Sequence, residues 1–180
     1  GDIMAALEAR DPGLANTAVL LTSDHGHCFG EHGYMDTHIP SLLEVTQHIP
    51  AVLHLPGGRA AGRRVPDLVS QIDVPATLCA IAGLEPPRGH QGVNLLPVAT
   101  GAGALPPRGL FREALYMEAF QDRLRRSGPD GEVVEDERKL GLRDPRWKYW
   151  QWLKIDDEDP LRFRLYELSR GEDDDRAAAE

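Results

Sequence analysis

The chain has 180 residues, of which 41% are hydrophobic and 27% charged, and its formal net charge is −9. This size and composition suit one ordinary soluble domain or a piece of a larger one. The negative charge argues against binding to nucleic acid or to an anionic membrane surface, because both need a basic protein surface.

The first hundred residues alternate between short helices and apolar strands. The elements predicted here are a helix over 2–10, strands over 17–22 and 50–55, and a helix near 41–47. A further helix is predicted between Asp73, a suitable N-terminal cap, and Gly83, a suitable left-handed residue at its end. Helices alternating with buried strands indicate an α/β layered domain.

The composition changes after residue 97. Residues 98–110 are rich in Ala, Gly and Pro and are interpreted as a linker. Beyond them the pattern predicts a small antiparallel sheet with a terminal helix over 172–180. Its strands are expected at 114–120, 138–143, 147–153 and 162–168. The sequence therefore predicts three parts: an α/β domain over 1–97, the linker, and an antiparallel subdomain over 111–180.

The strand over 17–22 runs into a loop rich in glycine and in metal-capable side chains, with Asp24 and His25 at its start. Ligands of open α/β sheets bind beyond the carboxyl ends of strands. A carboxylate oxygen and an imidazole nitrogen suit Ca, Mg, Mn or Zn in different degrees. The pair predicts a divalent-cation site that takes further ligands from elsewhere. The alternative is that Asp24 caps a turn and His25 is an ordinary loop histidine.

Other interpretations of this loop remain open. Six of the seven histidines fall between His25 and His54, which favours metal binding. A rival structural zinc site would use His25, His27, Cys28 and His32, although these are more crowded than the usual paired spacings. Cys28 as a thiol nucleophile lacks any local signature. His38 could bind an anionic substrate oxygen or protonate a leaving group, or it could be incidental.

Several segments, in order along the chain, resemble the sulfatase family of the alkaline phosphatase superfamily. The stretch TAVLLTSDHGHCFGEHG at 17–33 is similar to the metal-binding strand and loop of that family. The other similar segments are 43–50, 69–78 with 82–87, 91–97, 146–149 and 165–168. The resemblance implies the C-terminal part of a layered α/β/α domain, followed by the small antiparallel subdomain.

The resemblance also implies site residues and cofactors. Asp24 and His25 would be the downstream ligands of one divalent cation, with calcium expected first and manganese, magnesium or zinc as alternatives. His38 lies where the family places a lysine or histidine that holds the sulfate. The family's nucleophile is a formylglycine made in a C/S-x-P-x-R motif, which none of the 180 residues supplies. The chain therefore resembles roughly the last third of a sulfatase, and the formylglycine is expected upstream.

The resemblance predicts hydrolysis of a small-molecule or carbohydrate sulfate ester by the parent protein. The alternatives are a phosphodiesterase or phosphonate monoester hydrolase of the same superfamily, and a non-catalytic remnant. We expect the segment alone to be inactive and poorly stable. Neither a signal peptide nor a membrane span is apparent in the sequence, which slightly favours a cytoplasmic location and leaves the compartment open.

Overall fold

A computed structural model describes residues 1–31, 42–106, 115–121, 126–128, 131–133, 137–154 and 163–170. Its helices are α1 (Asp2–Arg10), α2 (Glu44–Gln47), α3 (Asp73–Ile81) and α4 (Leu96–Thr100). Its strands are β1 (Val19–Thr22), β2 (Ala51–His54), β3 (Leu115–Gln121), β4 (Arg126–Gly128), β5 (Gly131–Val133), β6 (Glu137–Arg143), β7 (Trp147–Lys154) and β8 (Phe163–Glu167). The chain is α/β, as predicted.

The contacts group the chain into two compact units that differ from the predicted division. One unit combines Gly1–Ser23 with Pro50–Arg112, and the other combines Asp24–Ile49 with Glu113–Glu180. The segment after β1 is thus grouped with the C-terminal strands, whereas the sequence assigned it to the first domain. The predicted domain boundaries stay a prediction.

In the first unit, β1 and β2 form a two-stranded antiparallel sheet. Val19 lies opposite His54, and Thr22 lies opposite Ala51. Leu21 and Val52 also lie opposite each other, and each is 60% exposed. Both strands were predicted to be apolar on their two faces, and this exposed pair shows that part of that apolar surface is uncovered in the described residues.

Asp73 and Gly83 mark the two ends of helix α3, as predicted, but Asp73 does not have the predicted role of N-terminal cap. Asp73 is the first residue of the helix and not its cap, which is Ile72. Its fully buried carboxylate accepts hydrogen bonds from the backbone N–H of Ser70 (2.8 Å) and of Val93 (2.9 Å). Gly83 adopts φ +69°, which confirms the predicted left-handed residue.

The predicted linker begins inside α4, so residues 98–100 are helical. Composition alone concealed this helix because Ala, Gly and Pro are typical of loops. The positions of two residues explain it: Pro97 lies in the first turn, where its missing N–H is tolerated, and Gly101 ends the helix with φ +75°.

The second unit contains the antiparallel sheet that the sequence predicted. Its strand order is β3-β6-β7-β8, and every neighbouring pair is antiparallel. Strands β4 and β5 form an additional antiparallel pair, which is not among the predicted strands. Leu42 and Leu43 pack with Trp150 and Tyr166 in a buried apolar cluster, joined by the partly buried Val45 and Met117. This cluster attaches the segment before α2 to the sheet.

Two further predictions concern a C-terminal helix and membrane-spanning segments. The terminal helix predicted over 172–180 lies outside the described residues. Among the helices that the structure describes, none is long and apolar enough to cross a membrane.

We predict that Asp73→Ala destabilises the protein by about 2–4 kcal/mol, because two partly buried backbone N–H groups lose their acceptor, at roughly 1–2 kcal/mol each. Urea unfolding of the full-length protein measures the change. Asp67→Ala removes an exposed carboxylate from the same unit and serves as the matched control. Equal unfolding midpoints for the two variants would contradict the role given to Asp73.

Candidate metal centre

Asp24 and His25 follow β1 directly and lie side by side at the surface. Asp24 comes two residues after the end of the strand, and its side chain is 85% exposed, against 47% for His25. His25 Nε2 lies 3.6 Å from Asp24 Oδ2, and the backbone N–H of His25 donates to Asp24 Oδ1 at 3.0 Å. The two side chains therefore present an oxygen and a nitrogen to the same exposed region.

The His25 ring is oriented by a backbone carbonyl. Nδ1 lies 2.7 Å from the carbonyl oxygen of Gly26. A carbonyl only accepts hydrogen bonds, so Nδ1 carries the proton when the ring is neutral. The lone pair then resides on Nε2, the nitrogen that faces the Asp24 carboxylate. A backbone carbonyl fixes the tautomer of metal-binding histidines in this way.

The side-chain atoms of Asp24 and His25 can supply part of the ligand set of a divalent cation. A carboxylate oxygen suits calcium, magnesium and manganese, whereas an imidazole nitrogen suits zinc and other transition metals. No group of three or more His, Cys, Asp or Glu side chains that could hold a metal occurs among the residues that the structure describes. The Asp24–His25 pair can therefore supply two ligands, and the described residues add no third His, Cys, Asp or Glu side chain to them.

The backbone immediately after His25 lies against α2. The Gly26 N–H donates to the carbonyl oxygen of Thr46 at 2.8 Å. A Cβ added to Gly26 would clash with the carbonyl oxygen of Val45. The contact therefore requires glycine at this position, and it holds the residue after His25 at a fixed distance from the helix.

Glu44, the first residue of α2, binds two cationic side chains of the C-terminal sheet. Arg143 donates through its Nε to Oε1 and through Nη2 to Oε2, each at 2.9 Å. Lys148 donates through Nζ to Oε1 at 3.0 Å. We refer to Glu44, Arg143 and Lys148 as the Glu44 cluster.

Burial and charge act in opposite directions on Glu44. Burial raises its pKa, but hydrogen bonds and charges from Arg143 and Lys148 outweigh it and lower the pKa from 4.5 to about 2. The Lys148 side chain is completely buried, whereas that of Glu44 is 23% exposed. A buried ammonium without a carboxylate would be strongly unfavourable, so Lys148 depends on Glu44.

Glu44 and Lys148 were predicted to lie on a helix and on a strand, and neither was assigned a role. A signal was present, because Lys148 interrupts the aromatic run from Trp147 to Tyr149. A lysine inside an aromatic strand is rarely buried unless it is paired. The sequence could not identify its partner, because Glu44 lies 104 residues earlier.

The structure describes only some of the remaining candidates. His38 and His32 lie outside the described residues. Cys28 is buried, at 3% exposure, which does not suit an accessible thiol nucleophile. The ring of His27 lies 4.7 Å from that of Phe29, centre to centre. The described residues bring no three zinc ligands together, so the rival zinc site gains no support.

Comparisons with known proteins converge on one group. Residues 30–171 match the family model described as N-sulphoglucosamine sulphohydrolase, C-terminal. N-acetylglucosamine-6-O-sulfatase of Bacteroides thetaiotaomicron is 32% identical over 108 residues, which are 60% of this chain and 19% of that protein. Arylsulfatase K of Xenopus laevis is 33% identical over 177 residues, which are 97% of this chain and 30% of that protein.

The fold is also similar to that of solved sulfatase structures. The structure of a 2-O GAG sulfatase superimposes with a TM-score of 0.65 and 21% identity, covering 94% of this chain and 33% of that one. This likeness confirms the alkaline-phosphatase-like α/β fold that the sequence predicted. The chain spans between about a fifth and a third of the length of these relatives.

We predict that the Glu44 cluster makes stability depend on acid pH. The pKa of Glu44 is lowered from 4.5 to about 2 on folding, so the stabilisation is fully present above about pH 4.5 and is lost as the pH falls towards 2. Glu44→Gln should lower the free energy of unfolding at pH 7 and flatten its pH dependence between those values. Urea unfolding at a series of pH values measures both effects.

Glu85→Gln, which removes an exposed carboxylate, is the control and should retain the pH dependence of the parent. Parallel curves for the parent and Glu44→Gln between pH 4.5 and 2 would contradict the prediction.

Proposed function

Since this chain belongs to the sulfatase family, as a C-terminal portion of its members, we propose that it contributes two metal ligands, Asp24 and His25, to a sulfuric ester hydrolase. The observation that carries the proposal is the geometry of the pair: Asp24 Oδ2 and His25 Nε2 lie 3.6 Å apart and are both exposed just beyond β1. The nucleophile would come from residues outside this chain segment.

The chemistry of the two side chains supports a bound divalent cation. Asp24 supplies negative charge, and the hydrogen bond between His25 Nδ1 and Gly26 leaves the Nε2 lone pair for coordination. Calcium is the first expectation, with manganese, magnesium and zinc as alternatives. When bound, such a cation neutralises charge on sulfuryl oxygens and lowers the pKa of a coordinated hydroxyl.

His38 is proposed as the residue that holds the sulfate or protonates the leaving group. Its support is its position in the sequence, 13 residues after His25. A protonated imidazole beside an ester oxygen would stabilise the negative charge that develops there.

The substrate is proposed to be a carbohydrate sulfate ester. Two of the relatives are named as an N-acetylglucosamine-6-O-sulfatase and a 2-O GAG sulfatase, and both names describe action on carbohydrate sulfates. The position of the sulfate and the identity of the sugar would depend on residues that vary between such enzymes.

We predict that replacing Asp24 and His25 together with alanine removes the bound cation from the full-length protein and lowers turnover of an aryl sulfate more than about 100-fold. Loss of outer-shell groups alone lowers metal affinity or activity 10–100-fold, and direct ligands should matter more. Metal analysis by mass spectrometry and steady-state kinetics supply the two measurements.

The double variant Asp67→Ala with His48→Ala is the matched control, because both side chains are exposed and neither belongs to the pair. Unchanged cation content in the Asp24 and His25 variant would reject the metal site. Faster hydrolysis of an aryl phosphonate than of an aryl sulfate by the parent would reject the sulfatase assignment in favour of a phosphorus ester.

A further inference from the structure

Helix α2 is too short to be stable without contacts to other parts of the chain. It has only four residues, and its N-terminal cap, Leu43, provides no side-chain hydrogen bond. Helices this short are not stable by themselves, because nucleation is unfavourable and propagation adds few hydrogen bonds. The position of α2 is therefore determined by the residues to which it is attached.

The Glu44 cluster fixes the orientation of α2 relative to β6 and β7. Arg143 and Lys148 lie opposite each other in the register of β6 and β7, which would place two positive charges together. The Glu44 carboxylate lies between them and accepts from both. Its two oxygens meet the two nitrogens of the Arg143 fork, so this contact fixes angle as well as distance.

The other end of α2 determines where the residue after His25 lies. Thr46 accepts the N–H of Gly26 at 2.8 Å, and Val45 blocks any closer approach. Gly26 in turn accepts the hydrogen bond from His25 Nδ1 at 2.7 Å. A continuous series of short contacts therefore joins the rigid sheet to the His25 imidazole.

We propose that Glu44 is a positioning residue for the Asp24–His25 pair: clamped between Arg143 and Lys148, it holds α2 where Gly26 can orient the His25 ring. The inference rests on the proposed metal site and adds to it an outer residue that never touches the cation. Removing the clamp should let α2 and Gly26 shift, so that His25 spends less time in the orientation that binds a cation.

The test measures calcium affinity of the full-length protein by competition with a chromophoric chelator, at a temperature where every variant is folded. Glu44→Gln keeps the size of the side chain and loses its charge. We expect its calcium affinity to fall about tenfold, as for other outer-shell partners. Arg143→Lys keeps the charge and loses the two-nitrogen fork, and we expect a fall of several-fold with a smaller loss of thermal stability.

Two controls separate positioning from general stability. Glu167→Gln removes a carboxylate of the same sheet that accepts hydrogen bonds of 2.8 and 3.0 Å from Arg146, and these two bonds do not involve α2. Asp73→Ala lowers stability in the other unit. Both should keep calcium affinity within about twofold of the parent, even where the melting temperature falls.

The outcomes distinguish this inference from the proposed function. If the Asp24 and His25 double variant still binds calcium like the parent, the metal site itself fails. If that variant loses calcium while Glu44→Gln stays within twofold of the parent, only the positioning role fails. If Glu44→Gln does not fold, Arg143→Lys decides: affinity within twofold of the parent overturns the positioning role, and a several-fold loss supports it.

Discussion

The ion pairing of one carboxylate with two cationic groups is the constraint on which the second unit depends. Lys148 is completely buried in a sheet, where an ammonium ion is very unfavourable unless it is compensated. Its compensation comes from Glu44, which belongs to a helix far away along the chain. The sheet therefore requires the helix electrostatically, and the helix requires the sheet because it is too short to be stable alone. The apolar cluster around Leu42 and Trp150 strengthens the same contact without fixing its direction.

This dependence also explains why the segment after β1 is grouped with the C-terminal strands. Asp24 and His25 follow β1 closely in the sequence, and for that reason they were assigned to the first predicted domain. Gly26 donates to Thr46 of α2, and Glu44 of α2 binds Arg143 of β6 and Lys148 of β7. In this chain the C-terminal strands can therefore influence the proposed metal-binding pair through Glu44 and Gly26.

Sequence reasoning succeeded where the signal was local. The helix that precedes Gly83 and the strands around Trp147 and Leu165 carry their information within a few residues. The metal-binding role of Asp24 and His25, which also rests on a local pattern, stays a prediction. Sequence reasoning failed where composition was ambiguous, as in the helix that begins at Leu96. It could not find the Glu44 cluster, because its members are separated by 99 and 104 residues and spacing carries no information at that distance.

The burial of Lys148 has an evolutionary consequence. A substitution that neutralises Glu44 alone would remove a carboxylate that the buried Lys148 ammonium binds, and a substitution of Lys148 alone would keep the contact between Glu44 and Arg143. Substitutions at these positions should therefore be coupled. Lineages that replace Lys148 with an apolar residue can also replace Glu44, whereas lineages that keep Lys148 should keep Glu44. Homologues of this chain should show covariation among positions 44, 143 and 148, with the glutamate lost last.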